Sequence, residues 1–199
     1  MILIYKMINM AILKERSMII DRIEVVHKNK DGKIISKRVL NNSRFHRFLV
    51  RMGLAHDSIT TNGMAACAGL IGNTGSVTSF QYVGIGTGTV AAASTDVWMG
   101  SGTCVGSATS ISRVTTTVAN DTLQLVFTFG STGGQGSLTA TAVAVTEVIA
   151  ANGTGAATYS ASGSNICLLR QVYTPADTCN FGQGDTLTIT IKVQAKQGA

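Results

Sequence analysis

The histidines, serines and acidic residues of this chain could in principle carry out catalysis, but their spacing argues against a catalytic site. The three histidines, His27, His46 and His56, all fall in the first third of the 199 residues. A Ser-His-Asp hydrolase of the α/β type places its serine in a Gly-x-Ser-x-Gly elbow, and the sequence contains no such elbow. The acidic residues after position 52 show no spacing typical of a glycosidase pair, and Asp96 and Asp185 instead fit turns or strand ends. We therefore predict no catalytic residues and a protein that is not an enzyme.

The stretch from Gly84 to Gly88, Gly-Ile-Gly-Thr-Gly, is the segment most similar to a phosphate-binding loop. A dinucleotide loop requires a helix that begins directly after the glycines and an acidic residue about twenty positions further on. Here an alanine-rich segment leads to Asp96, and no Gly-Lys-Ser/Thr follows. We predict a tight turn or bulge at this point, where glycine tolerates the backbone angles, and no bound cofactor.

The four cysteines are Cys67, Cys104, Cys167 and Cys179. They show no Cys-x-x-Cys spacing and have no histidine close in sequence, so we predict no metal site. Four cysteines allow three disulfide pairings, and the short connection between Cys167 and Cys179 makes that pair the easiest to close. Buried thiols are an equal alternative.

Basic residues are concentrated at the start of the chain. Residues 1–51 contain twelve Lys or Arg and four Asp or Glu, whereas residues 52–199 contain four and six. A basic arm is attracted to nucleic acid, anionic membranes or acidic protein surfaces, but such charges also keep a solvated hairpin from aggregating. We predict a basic N-terminal arm, with a hairpin and a short helix, at residues 1–56. A Gly/Ser/Thr-rich β body follows at residues 57–199.

Several local patterns define the elements of the arm. Residues 20–40 predict a β-hairpin with its turn at Asn29-Lys30-Asp31-Gly32, and residues 42–54 have helical spacing. Arg44, Arg47 and Arg51 share one face of that helix and are candidate interface residues. Residues 1–20 are too short and too interrupted to span a bilayer and lack a signal-peptide pattern, so we expect no membrane association. They fit a helix or arm that docks on a partner.

The body predicts short strands separated by glycine-rich turns. Residues 186–194 alternate strictly between apolar and polar side chains, and residues 122–129 nearly do so. Further strand candidates are residues 79–84, 110–118, 139–149 and 166–173, and residues 65–71 fit either a short helix or a packed loop. The absence of a helical pattern between the strands favours a mainly β fold, an antiparallel β-sandwich or jelly-roll-like body.

With these predicted strands and motifs, the chain resembles a group of tailed-bacteriophage virion structural proteins. The resemblance rests on the order of these motifs: FQYVGIGTGT at 80–89, Arg113 in a Thr-rich strand, VTEV at 145–148, LLRQVYTP at 168–175 and GDTLTITI at 184–191. The chain departs from the group at residues 148–151, where Val-Ile-Ala-Ala replaces a Gly-Leu-Phe-like stretch, and in its four cysteines. The resemblance implies a structural role and no catalytic residues.

The expected function is that of a structural component of a tailed-phage particle, located in the virion. We expect a head-decorating or cement protein that docks on the capsid and stabilises it, with a tail, neck or fiber-associated structural or receptor-binding module as the alternative. Its expected partners are other virion proteins, of the capsid, neck or tail, and further copies of itself, with a trimer favoured. Aromatic–arginine interleaving around Arg44 could bind nucleic acid, but core phenylalanines explain it better, so protein partners are favoured. Trp98 is either an interface anchor or a core residue.

Overall fold

The computed structural model describes residues 18–40, 57–74, 78–97, 102–130, 142–143, 145–151, 165–173, 178–180, 182 and 184–195. In chain order, the elements are β1 (Met18–Lys28), β2 (Ile34–Leu40), β3 (Asp57–Ile59), α1 (Thr61–Gly72), β4 (Tyr82–Gly86), β5 (Gly102–Ser107), β6 (Ser110–Val114), β7 (Thr122–Gly130), β8 (Ala142–Val143), β9 (Val145–Ala151), β10 (Asn165–Val172), β11 (Cys179–Asn180) and β12 (Thr186–Ala195). All the strand pairs among these elements are antiparallel.

The first sheet has five strands in the order β2-β1-β12-β7-β6. Its central strand β12 follows the two-residue period of the sequence, because Leu187, Ile189 and Ile191 are fully buried and the residues between them are only half-buried. On the opposite face, the hydroxyl oxygens of Thr128 and Thr188 lie 3.1 Å apart across the β7–β12 pair. The sheet therefore has one apolar face and one face of threonines and charged residues.

The predicted hairpin is confirmed as β1 and β2. Its turn is closed by Asn29, whose backbone N–H donates to the Lys33 carbonyl at 2.9 Å and whose side-chain oxygen accepts from the Lys33 N–H at 2.8 Å. Gly32 has a φ of +78°, which favours glycine. Strand β1 also pairs with β12 from Met18 to Lys28. Strand β1 of the predicted arm therefore lies in the same sheet as β12 of the predicted body.

The second sheet has the order β3-β10-β9-β4-β5, and β11 and β8 form a separate pair. Apolar side chains of both five-stranded sheets form one core, to which Phe127 and Phe129 contribute from β7 and Val83 and Ile85 from β4. A Cβ at Gly106 of β5 would lie 3.3 Å from the Phe129 ring, so the glycine lets the ring pack against the second sheet. The mainly β antiparallel fold class is thereby confirmed.

Helix α1 lies directly on β10. The Thr60 hydroxyl caps its first turn by accepting from the Gly63 N–H at 2.9 Å, and the same hydroxyl donates to the Cys167 carbonyl of β10. The helix ends at Asn73, which has the left-handed φ of 48°. Residues 65–71 are thus helical, as one of the two predicted alternatives had it. The helix predicted at residues 42–54 lies outside the described residues, as do residues 1–17.

Candidate interaction surface

His27 and Asp185 form a buried pair that links the hairpin to the turn before β12. The His27 Nε2 atom lies 2.8 Å from the Asp185 Oδ2 atom, and the Gly182 N–H donates to that oxygen at 2.7 Å. The Gly182 amide, followed by His27, holds the pKa of Asp185 below its usual value. Since the carboxylate is already bound by these donors, we interpret the pair as a structural contact.

Arg170 and Asp96 form a part-buried ion pair, which links the loop after β4 to β10. The Arg170 Nη1 atom donates to the Asp96 Oδ2 atom at 2.7 Å, and its Nη2 atom donates to the Val90 carbonyl at 2.8 Å. The same loop reaches α1, because the Ser94 carbonyl accepts from the Thr61 N–H at 2.7 Å. Asp96 is a turn residue, as the sequence predicts. No local sequence pattern indicates that Arg170 of β10 is its partner.

Asp121 organises the loop between β6 and β7. Its carboxylate accepts from the backbone N–H groups of Thr116, Thr117 and Val118 at 2.9–3.0 Å and from the Gln194 side chain at 2.7 Å. These hydrogen bonds, of which that from Val118 contributes most, lower the pKa of Asp121. This carboxylate also has a structural role.

The four cysteines all lie among the described residues and are thiols, so the pairing of Cys167 with Cys179 is not formed in this structure. All are buried except Cys67, which is half-buried on α1. Burial raises the pKa of Cys104 to about 11 and also raises that of Cys67. A nucleophilic thiol requires a lowered pKa, so neither has the environment of a nucleophile.

The glycine-rich stretch has no loop at its centre, because Gly84 and Gly86 are buried in strand β4 between β5 and β9. The register with β5 shifts between Ile85 and Gly86, which fits a bulge, one of the two alternatives that the sequence predicts. No helix begins in the described residues 87–97, so this segment supplies no helix N-terminus for a phosphate.

The predicted interface residues Arg44, Arg47, Arg51 and Trp98 lie outside the described residues. Within the described ranges, no three His, Cys, Asp or Glu side chains come together as a possible metal site. A helix of the length and hydropathy needed to cross a membrane is also absent from that part of the chain.

The most distinctive outer surface is that of helix α1. The helix contains no charged residue and buries only Gly63 and Ala66 against the sheet. Met64, Leu70 and Ile71 are exposed, and Ile71 retains 89% of its accessible surface. We call these three residues the α1 surface. In the part of the chain that the structure describes, the other large apolar residues in the open are Ile34, Ile35, Val90, Val97, Ile111 and Val118. Sequence periodicity missed the α1 surface because this helix is apolar on most of its faces.

Comparison with known proteins identifies no match of any of three kinds: no protein-family model, no curated protein and no solved structure is significantly similar to the chain.

Proposed function

We propose that this chain is a structural subunit of a tailed-bacteriophage particle, a head-decorating or cement protein that docks on the capsid. The motif resemblance supports the phage assignment. The observation that carries the structural role is the uncharged α1 surface, with Ile71 almost fully open to solvent. Exposed apolar surface of this kind is available for a protein–protein contact, and burying an uncharged surface avoids the desolvation of ions.

A non-enzymatic role is supported by how the hydrogen-bonded ionisable groups are used. Asp185 and Asp121 accept hydrogen bonds from backbone amides, and Arg170 is bound to Asp96 and to a main-chain carbonyl. Each of these contacts joins two segments that are distant in sequence or closes a loop. Their common effect is a rigid β body, which suits a subunit that must present one surface to its neighbours.

The test is incorporation into particles during infection or induction of the bacterium that carries the coding sequence. We expect Ile71→Lys to reduce incorporation by about tenfold, because a lysine ammonium resists burial in an apolar contact. Asn62→Lys is the matched control, since it adds the same charge at another exposed position of α1. If both variants and the unaltered chain enter particles equally well, α1 is not part of the contact. Absence of the unaltered chain from particles would reject the virion role.

The number of copies of this chain in the same particles distinguishes a position on the head from one on the neck, tail or fiber. Hundreds of copies per particle support the head-decorating role, whereas a few copies indicate the neck, tail or fiber. Sedimentation of the purified chain tests the proposed homo-oligomer, for which we favour a trimer.

A further inference from the structure

The β1–β2 hairpin ends in a cluster of three lysines with one aspartate, which has a net positive charge. Lys28, Lys30 and Lys33, which we call the lysine tip, lie within six residues at the turn. Lys30 and Lys33 are exposed, and none of the three pairs with a carboxylate among the described residues. Asp31, the acidic residue of the turn, is instead hydrogen-bonded to Asn29.

The backbone that carries the lysine tip is fixed from two sides. The His27–Asp185 pair holds the end of β1 to the turn before β12, next to Lys28. Gly184 in that turn has a φ of +90°, and a Cβ there would lie 2.9 Å from the Lys30 Cβ. Lys30 therefore packs so closely against this turn that only glycine fits at position 184. A preformed backbone reduces the entropy lost on binding, which is what a docking element requires.

The residues beside the lysine tip indicate the kind of partner. Ile34 and Ile35 of β2 are 53% and 56% exposed, so the tip combines positive charge with apolar surface. The described hairpin has no Phe, Tyr or Trp to stack on a base, and its His27 ring is buried. The three tip charges are lysines, which lack the bidentate fork of arginine. These features favour a protein over a nucleic acid.

We propose that the lysine tip, with Ile34 and Ile35 beside it, docks on an acidic protein surface of a neighbouring virion component. This inference rests on the proposed function for the identity of the neighbour. The charge complementarity itself is a property of the isolated chain and can be tested without a particle.

The experiment measures binding of the full chain to poly-L-glutamate and, separately, to a short duplex DNA at the same ionic strength. The variant is Lys30→Gln with Lys33→Gln, which removes two charges. Arg113→Glu on β6 is the control, because it changes the net charge equally at an exposed site on the opposite edge of the same sheet. Melting temperatures of both variants verify that folding is unchanged.

We expect the lysine variant to bind poly-L-glutamate about tenfold more weakly, from two exposed pairs each worth a few-fold, while the control changes less than about twofold. Equal losses in variant and control would overturn the inference, because only net charge would then matter. A larger loss for DNA than for poly-L-glutamate would also overturn it, in favour of a nucleic-acid contact. The lysine variant should also enter particles less efficiently than Arg113→Glu. If the unaltered chain enters no particle, the proposed function fails, while the poly-L-glutamate result still decides this inference.

Discussion

Helix α1 and the β1–β2 hairpin are attached to their sheets by different means. At α1 the helix backbone touches the β10 backbone, and the contact depends on the missing side chain of Gly63. At the hairpin, strand pairing with β12 is supplemented by the buried His27–Asp185 pair, and the tip remains charged and open. The α1 contact therefore tolerates no added atom. The hairpin contact depends on the ionised Asp185 carboxylate, and the hairpin tip tolerates surface substitution.

The strongest test of the comparison is Gly63→Ala. The added Cβ would lie 2.5 Å from the Leu168 Cα and 2.7 Å from the Cys167 carbonyl oxygen, and neither backbone atom can move aside alone. We expect the free energy of unfolding to fall by about 3 kcal/mol, at the upper end for overpacking, as measured by urea denaturation.

Gly72→Ala at the end of the same helix is the control. Its Cβ would meet only the Thr74 side chain, at 3.6 Å or more. Alanine has the higher helix propensity, so this variant should be neutral or more stable by up to about 1 kcal/mol. A Gly63→Ala variant as stable as Gly72→Ala would show that α1 does not lie against β10 as described.

The second test is Asp96→Asn, which removes the charge of Asp96 and leaves Arg170 buried on β10 without its anionic partner. Loss of one partner of a buried ion pair typically costs about 3–5 kcal/mol. Since the Asp96 side chain is 19% exposed and asparagine keeps one acceptor oxygen, we expect Asp96→Asn to cost about 2 kcal/mol in urea denaturation. Asp31→Asn in the hairpin turn makes the same chemical change at an exposed site and should cost less than about 0.5 kcal/mol. Equal effects would show that the Asp96–Arg170 pair adds no more stability than a carboxylate in an exposed turn.

The third test is the pH dependence of the hairpin contact. The pKa of Asp185 is lowered in the folded protein from its ordinary value of 3.8. Its contribution to stability is therefore complete above that value and is lost as the pH falls through the lower folded pKa. We expect Asp185→Asn to cost about 1 kcal/mol at neutral pH, through the weakened contact with His27. The difference between variant and parent should shrink as the pH falls below 3.8, and a constant difference would assign the loss to something other than the carboxylate charge.

Sequence periodicity predicted the strands that alternate clearly but missed some that do not, such as β5. The alternation at residues 186–194 corresponds to β12, whose bounds are Thr186–Ala195. Strand β5 lacks a periodic pattern because glycine stands near both of its ends, and it was not among the predicted strands. The strand predicted at residues 110–118 ends at Val114, so that prediction was wrong beyond this residue. The following segment is β-branched, but Asp121 binds its backbone amides and closes it into a loop.

The polar contacts could not be predicted from local sequence patterns, because only the folded chain brings the two residues of each pair together. His27 and Asp185 are 158 residues apart, and Arg170 and Asp96 are 74 apart. Local spacing identified Asp96 and Asp185 as turn residues, which they are, but gave no partner. The basic character of the hairpin was readable from composition, whereas the exposure of Ile71 depends on how α1 lies on β10.

Quantitative mass spectrometry of purified, DNA-filled particles tests the central claim most directly. Particles separated on a density gradient from free protein should contain this chain in fixed proportion to the major capsid protein, with the proportion unchanged by a second gradient. The head-decorating role predicts hundreds of copies per particle. Absence of the chain from particles, while it is abundant in the soluble fraction of the same lysate, would contradict the account.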